Sequence, residues 1–203
     1  MMDGVNRLAR KVPTWVVYLL GLVPLGYLIW GAVAGGLGPD PVKAIEHALG
    51  ERGLQFLLAS LAVTPLRRLG LNLVRFRRAL GLLAFLYVAL HLTAWVWLDM
   101  GLRFGEMATD LTKRPYIIAG MVGFVVMLPL AATSWNGAIR RMGAVAWNRL
   151  HRLAYVAILA GVLHLSLLVK VWTVETLVYV ALALGLLAVR LVPKAGRARP
   201  AGV

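Results

Sequence analysis

Residues 79–98 read ALGLLAFLYVALHLTAWVWL, and residues 147–169 read WNRLHRLAYVAILAGVLHLSLLV. Each stretch is long and apolar enough to cross a hydrocarbon core, which needs ~20 residues in a helix. Each also carries a histidine in its second half, His91 and His164, and the second stretch holds another, His151, near its start. An imidazole inside a bilayer is costly, so each of these rings requires a partner.

Working outward, apolar patterning marks six runs: Pro13–Ala34, Gly53–Leu66, Ala79–Leu98, Tyr116–Ala132, Trp147–Val169 and Trp172–Val192, of which the second is the shortest and could extend backwards through His47 and Ala48, with Glu51 and Arg52 near the interface. The chain has 203 residues, 61% hydrophobic and 15% charged, and its mean hydropathy is +0.79. The expected fold is therefore all-α: a polytopic membrane protein with six transmembrane helices and no separate soluble domain. The run after the basic start is too long for a cleaved signal and reads as a first span. Trp15, Trp30, Trp97, Trp147 and Trp172 fall near run ends, as interfacial belts require. No repeat of fixed period stands out.

The formal charge of +14 does not point to nucleic acid, because the cations alternate from loop to loop. Sixteen of the 22 lie in the N-terminus, in the loop carrying Arg67 to Arg78, in the segment from Arg140 to Arg152 and in the tail from Arg190; six lie in the other loops. By the positive-inside rule both termini face the cytoplasm. The expected organisation is a cytoplasmic N-terminus (1–12), a six-helix domain (13–192) and a basic cytoplasmic tail (193–203), disordered or lying on anionic lipid. Cysteine is absent, which excludes disulfides, thiolate metal sites, covalent c-type haem and Cys-ligated iron–sulfur clusters.

Depth singles out two of the histidines. His91 stands eight residues before Asp99 and His164 six before Lys170, so at ~1.5 Å per residue both lie roughly 9 to 12 Å inside the outer boundary. Two imidazoles at one depth on neighbouring helices suit a bis-His haem b made for electron transfer. The alternative is hydrogen bonding across helices. His151 lies about 20 Å lower and ~140° around an ideal helix from His164; it could ligate a haem alone, bind a quinone headgroup, contact a propionate or be an ordinary solvated residue. The matching low position on the other helix holds Arg77 or Arg78. These arginines, with Arg149 and Arg152, could neutralise haem propionates or a flavin phosphate, although cytoplasmic retention of the loops already accounts for them. His47 reads as a loop contact or cap. Gly81, Ala84 and Ala89 beside His91, and Ala154, Ala157, Ala160 and Gly161 beside His164, suit either a recess for a porphyrin or close helix packing.

Several short segments carry a family resemblance in their order and spacing. They are Gly36-Leu37-Gly38-Pro39-Asp40-Pro41-Val42 with Ile45-Glu46-His47, Thr64-Pro65-Leu66-Arg67, Arg77-Arg78-Ala79-Leu80-Gly81-Leu82, Leu90-His91-Leu92-Thr93, Thr112-Lys113-Arg114-Pro115-Tyr116, Leu150-His151-Arg152-Leu153-Ala154-Tyr155 and Leu163-His164. Over roughly Val12 to Val192 the chain resembles the haem-binding membrane subunits of bacterial periplasmic methionine sulfoxide reductase systems, the MsrQ (YedZ) family of the ferric-reductase-like transmembrane superfamily. The resemblance implies an inner-membrane b cytochrome holding one or two haems through His91, His151 and His164. It implies electrons taken from the quinone pool or a cytoplasmic flavin reductase, FMN binding, and delivery to a periplasmic molybdopterin partner, MsrP, that repairs oxidised methionine. The wider superfamily's fourth histidine is not matched here. Quinol or flavin is expected near His151, Arg77, Arg78 and Arg152, with the catalytic reduction left to the partner. The rival readings are a ferric or cupric reductase and a haem-free channel, transporter or assembly factor.

Overall fold

The computed structural model describes residues 2–191. The tail beyond Pro193, expected to be disordered or lipid-bound, lies outside the described residues. Every regular element among the described residues is helical. A short amphipathic helix, α1 (Met2–Lys11), precedes the apolar α2 (Thr14–Val33), the long α3 (Pro41–Arg68) and α4 (Arg77–Ala94), which runs on as a π turn over Trp95–Asp99. An outer amphipathic helix, α5 (Phe104–Lys113), leads into α6 (Pro115–Ala132). Two short helices, α7 (Asn136–Met142) and α8 (Ala144–Leu150), then a 3-10 turn (His151–Leu153), open α9 (Ala154–Leu168), and α10 (Val174–Leu191) follows.

Four segments are long and apolar enough to cross a membrane: Thr14–Val33, Val74–Asp99, Pro115–Ala132 and Ala144–Leu168. Their outward faces are apolar: on α2, Trp15, Leu20, Val23, Tyr27 and Trp30 are all exposed, and Gly21 is its one buried residue. Such a face is stable only against lipid. The chain is a membrane protein.

The second apolar run, expected over 53–66 with an extension backwards through His47 and Ala48 left open, belongs to a helix that begins earlier still, at Pro41. Its first turns carry Lys43, Glu46, His47, Glu51 and Arg52, which dilute the apolar signal without weakening the helix. The start is built locally. Asp40 caps it, accepting from the Lys43 backbone N–H at 3.1 Å and pairing with Lys43 Nζ at 2.9 Å, and Pro41 occupies the first turn, where its missing N–H costs nothing. These bonds hold the Asp40 carboxyl below its ordinary pKa. His47, expected in the loop or as a cap, sits exposed on α3 itself. At the arginine-rich end of the bundle, expected to be the inner one, α1 is fastened to the α3–α4 connection. Asn6 donates to the Gly70 carbonyl and accepts from the Asn72 N–H, both at 2.8 Å, and Arg75 donates to the carbonyls of Ala9 and Arg10.

The bundle is organised as two hairpins. α3 packs along α4 and α6 along α9 more extensively than any other pair, while α2 leans on α4 and α10 on α9 and α3. A core of Leu54, Leu57, Leu61, Ala84, Ala157 and Ile158 joins the two hairpins. α2 is tied in by Tyr87, 1% exposed, whose hydroxyl donates to the Gly21 carbonyl at 2.7 Å. Leu83 fills the space where a Gly21 side chain would stand. Tyr87→Phe removes the hydrogen bond and keeps the ring, so it is expected to destabilise the folded protein by about 0.5–1.5 kcal/mol, read as a lowered midpoint of thermal unfolding in detergent.

Candidate functional site

His91 and His164 are each held by a backbone carbonyl of the neighbouring helix. The Nδ1 of His91 bonds the Glu46 carbonyl at 2.9 Å, and that of His164 the Tyr116 carbonyl at 2.7 Å. A carbonyl oxygen only accepts, so Nδ1 carries the proton and Nε2 is left with a free lone pair. The carbonyl of residue i in a helix already accepts from the N–H of i+4, and an imidazole approaches it most closely where i+4 carries no side chain. Here those positions are Gly50 and Gly120. A Cβ on Gly50 would stand 3.3 Å from the His91 ring, and one on Gly120 2.8 Å from His164 Nδ1.

The two attachments are copies of one construction. Glu46, Gly50 and Gly53 on α3 correspond to Tyr116, Gly120 and Gly123 on α6, and Ala84, Val88 and His91 on α4 to Ala157, Gly161 and His164 on α9. Gly53 packs against Val88 and the Ala84 carbonyl, and Gly123 against the Ala157 carbonyl and Gly161. Thr93 donates to the Ala89 carbonyl and Ser166 to the Val162 carbonyl, each at 2.8 Å. The first helices are offset by 70 residues (46 to 116) and the second by 73 (91 to 164), so no single period exists to be found. Ala84, Ala157 and Gly161, which left two readings open in the sequence, serve close packing within the hairpins. Gly50-x-x-Gly53 and Gly120-x-x-Gly123 were the legible sign of the site that a histidine-centred reading passes over.

The hairpins bring the two rings together. Their centroids are 6.0 Å apart with planes at 77°, and Tyr116 flanks His164 at 6.0 Å. α4 and α9 meet here through side chains, since each has its close backbone partner elsewhere. Among the described residues no cluster of three or more His, Cys, Asp or Glu side chains offers a metal site. Any metal between the rings needs its remaining ligands from a bound group.

His151 stands apart from this pair, at the inner end. It lies where the 3-10 turn breaks the helix between α8 and α9, stacked on Trp147 with centroids 3.8 Å apart. Its Nε2 is engaged by the Thr133 hydroxyl at 3.1 Å, and Trp147 donates to the Thr133 carbonyl at 2.9 Å. Its counterpart in the first hairpin, 73 residues earlier, is Arg78, which donates to Asn136 Oδ1 at 2.9 Å. The charges of Arg77 and Arg78 both reach the His151 ring, while Arg149 and Arg152 point to the exterior.

Comparison with known proteins agrees with this architecture. Residues 49–162, which contain both histidine helices down to the turn before His164, match the model of the ferric reductase like transmembrane component. The chain is 44% identical over 188 residues to a Brucella anthropi protein named protein-methionine-sulfoxide reductase heme-binding subunit MsrQ, covering 92% of this chain and 85% of the relative. It is 48% identical over 179 residues to the protein of the same name from Agrobacterium fabrum, covering 88% and 83%. This chain belongs to the MsrQ family. No solved structure matches it.

The glycine contacts rank two substitutions. Gly120→Ala is expected to abolish the hydrogen-bonded Nδ1–H resonance of His164 in a ¹⁵N-histidine spectrum of the protein in nanodiscs. Gly50→Ala, with more room, should only shift that of His91.

Proposed function

We propose that the chain is the haem b membrane subunit of a methionine sulfoxide reductase system, with His91 and His164 as axial ligands of one haem near the periplasmic face. The observation that carries this reading is the ring pair itself. Imidazole nitrogens bond transition metals at ~2.0–2.1 Å, so two rings bound through Nε2 on opposite sides of one ion have centroids roughly 6 Å apart. The 6.0 Å separation fits, and both Nδ1–H groups are already committed to carbonyls, leaving Nε2 as the only lone pair on each ring. Haem b, when bound, supplies reversible one-electron exchange at iron. The residues of this chain hold two imidazoles in one tautomer at fixed orientation and raise their basicity through the Glu46 and Tyr116 carbonyls. The apolar helices around them keep water out.

The membrane disposition we favour has six spans, formed by α2, α3, α4 with its π turn, α6, α8–α9 and α10, with both ends in the cytoplasm of a bacterial inner membrane. Its support is the distribution of charge. Seven of the eight acids and the ion pairs Asp40–Lys43, Glu106–Arg103 and Asp110–Arg114 lie on one side, and most cations on the other. On this reading the quinone pool or a cytoplasmic flavin donor, FMN included, delivers electrons at the inner end near His151, Arg77, Arg78 and Arg152. A periplasmic molybdopterin reductase of the MsrP kind receives them and performs the reduction, for which this chain offers no catalytic group.

The test is the visible spectrum of protein purified after haem-supplemented expression. Wild type is expected to show a reduced-minus-oxidised b-type low-spin spectrum. His91→Ala and His164→Ala are each expected to lose haem or convert it to high spin, whereas His151→Ala, removing a ring already engaged by Thr133, keeps the low-spin centre. A colourless wild type would overturn the reading.

A further inference from the structure

At the inner end of the bundle, Arg190 on α10 is fixed by its neighbours. Its Nη1 donates to the Tyr155 hydroxyl and its Nη2 to the Leu61 carbonyl, both at 2.7 Å, and the guanidinium lies 5.0 Å from the Tyr155 ring centroid. Its Nε–H is buried and has no partner among the described residues. Arg77, the first residue of α4, is close enough to Arg190 and Tyr155 for their charges to interact. Among the described residues its guanidinium makes no hydrogen bond or ion pair. The Arg77 carbonyl accepts from Ser60 Oγ at 3.3 Å and Arg190 is tied to the next residue, Leu61, so the two partly buried arginines flank one turn of α3.

Among the described residues no carboxylate pairs with either. The sole acid placed at this end by the sequence is Asp3 on α1, which lines a small polar recess with Asn6, Arg10 and Asn72. Like charges held together in a low dielectric repel strongly, and an anion between them removes both the repulsion and the orphaned donor. Guanidinium groups suit oxyanions that accept two bonds, phosphate above all. The level of the site selects the source. Arg77 opens α4, and Arg190 is held at the same level of α3 as the Arg77 backbone, which matches the arginine-rich end where inner-leaflet phosphates lie. Among the described residues α10 packs mainly on α9 and α3, so the site lies toward the edge of the bundle. Basic recesses between helices at the cytoplasmic boundary are headgroup sites.

We propose that Arg77, Arg190 and Tyr155 form a binding site for the phosphate of an anionic phospholipid of the inner leaflet. Arg190 is the preset half of the site and Arg77 the half completed by the lipid. The inference uses the inward orientation proposed above and is independent of haem.

Native mass spectrometry of the full-length protein in detergent tests it, with phosphatidylglycerol and phosphatidylcholine of identical acyl chains as probes. Wild type is expected to retain phosphatidylglycerol in preference to phosphatidylcholine. Arg77→Gln, which breaks no protein hydrogen bond, is expected to weaken phosphatidylglycerol retention by roughly five- to tenfold, and the exposed Arg140→Gln to leave it unchanged. Arg190→Gln is read together with Arg77→Gln because it also unties three helices. Equal retention of the two lipids, or an unaltered Arg77→Gln, overturns the site. Displacement of phosphatidylglycerol by millimolar inorganic phosphate would assign it to a soluble oxyanion instead, and displacement on loading with haem would assign it to the propionates; either result overturns the lipid. Because retention is measured with haem-free and haem-loaded protein alike, its failure is separable from failure of the haem reading.

Discussion

The structure depends on a hydrogen bond that helices rarely permit, in which a histidine Nδ1–H donates to a carbonyl already serving its own helix. It exists twice, to Glu46 and to Tyr116, and in each instance a glycine stands one turn further on. The consequences propagate. Gly50 and Gly53 draw α4 onto α3, and Gly120 and Gly123 draw α9 onto α6, so each histidine is set by its own hairpin before the hairpins meet. The shared core then decides how the two rings face one another. A side chain on Gly120 would displace the His164 ring, and one on Gly50 would crowd the His91 ring.

Charge supplies the second constraint. The outer end pairs its few cations with acids, as in Asp40–Lys43 and Asp110–Arg114. The inner end holds arginines tied to carbonyls, amides and phenols: Arg75 to α1, Arg78 to Asn136, Arg190 to Tyr155. Such an end has positive potential to spare. On the proposed orientation it would suit anionic lipid at its edge and an anionic or electron-rich donor near His151, and the acidic end would meet a partner on the other side.

Much of this was legible in the sequence and some was not. The apolar runs placed α2, α4, α6, α9 and α10 nearly as they stand, because lipid-facing helices are apolar on every side. The run at 53–66 gave only the inner half of α3, since its outer turns bear Lys43, Glu46, Glu51 and Arg52; Asp40-Pro41 marked the true start. The short helices α1, α5, α7 and α8 carry no span-length pattern and went unread. Helical rise put His91 and His164 at one depth, and their rings do lie side by side. What could not be read was how the rings are held, because the partners are main-chain carbonyls, which leave no side-chain signature. The duplication was hidden by connections of unequal length, which shift the two halves of the repeat by different amounts.

The central claim is that two mutually tilted imidazoles, each fixed by a carbonyl, clamp one haem iron. Electron paramagnetic resonance of the oxidised, haem-loaded protein tests it most directly, because the low-spin ferric signal reports the angle between axial imidazole planes. With the planes at 77°, the expected result is a strongly anisotropic low-spin signal, the kind given by near-perpendicular axial rings. A high-spin signal, or the compact rhombic signal of parallel rings, would contradict the account.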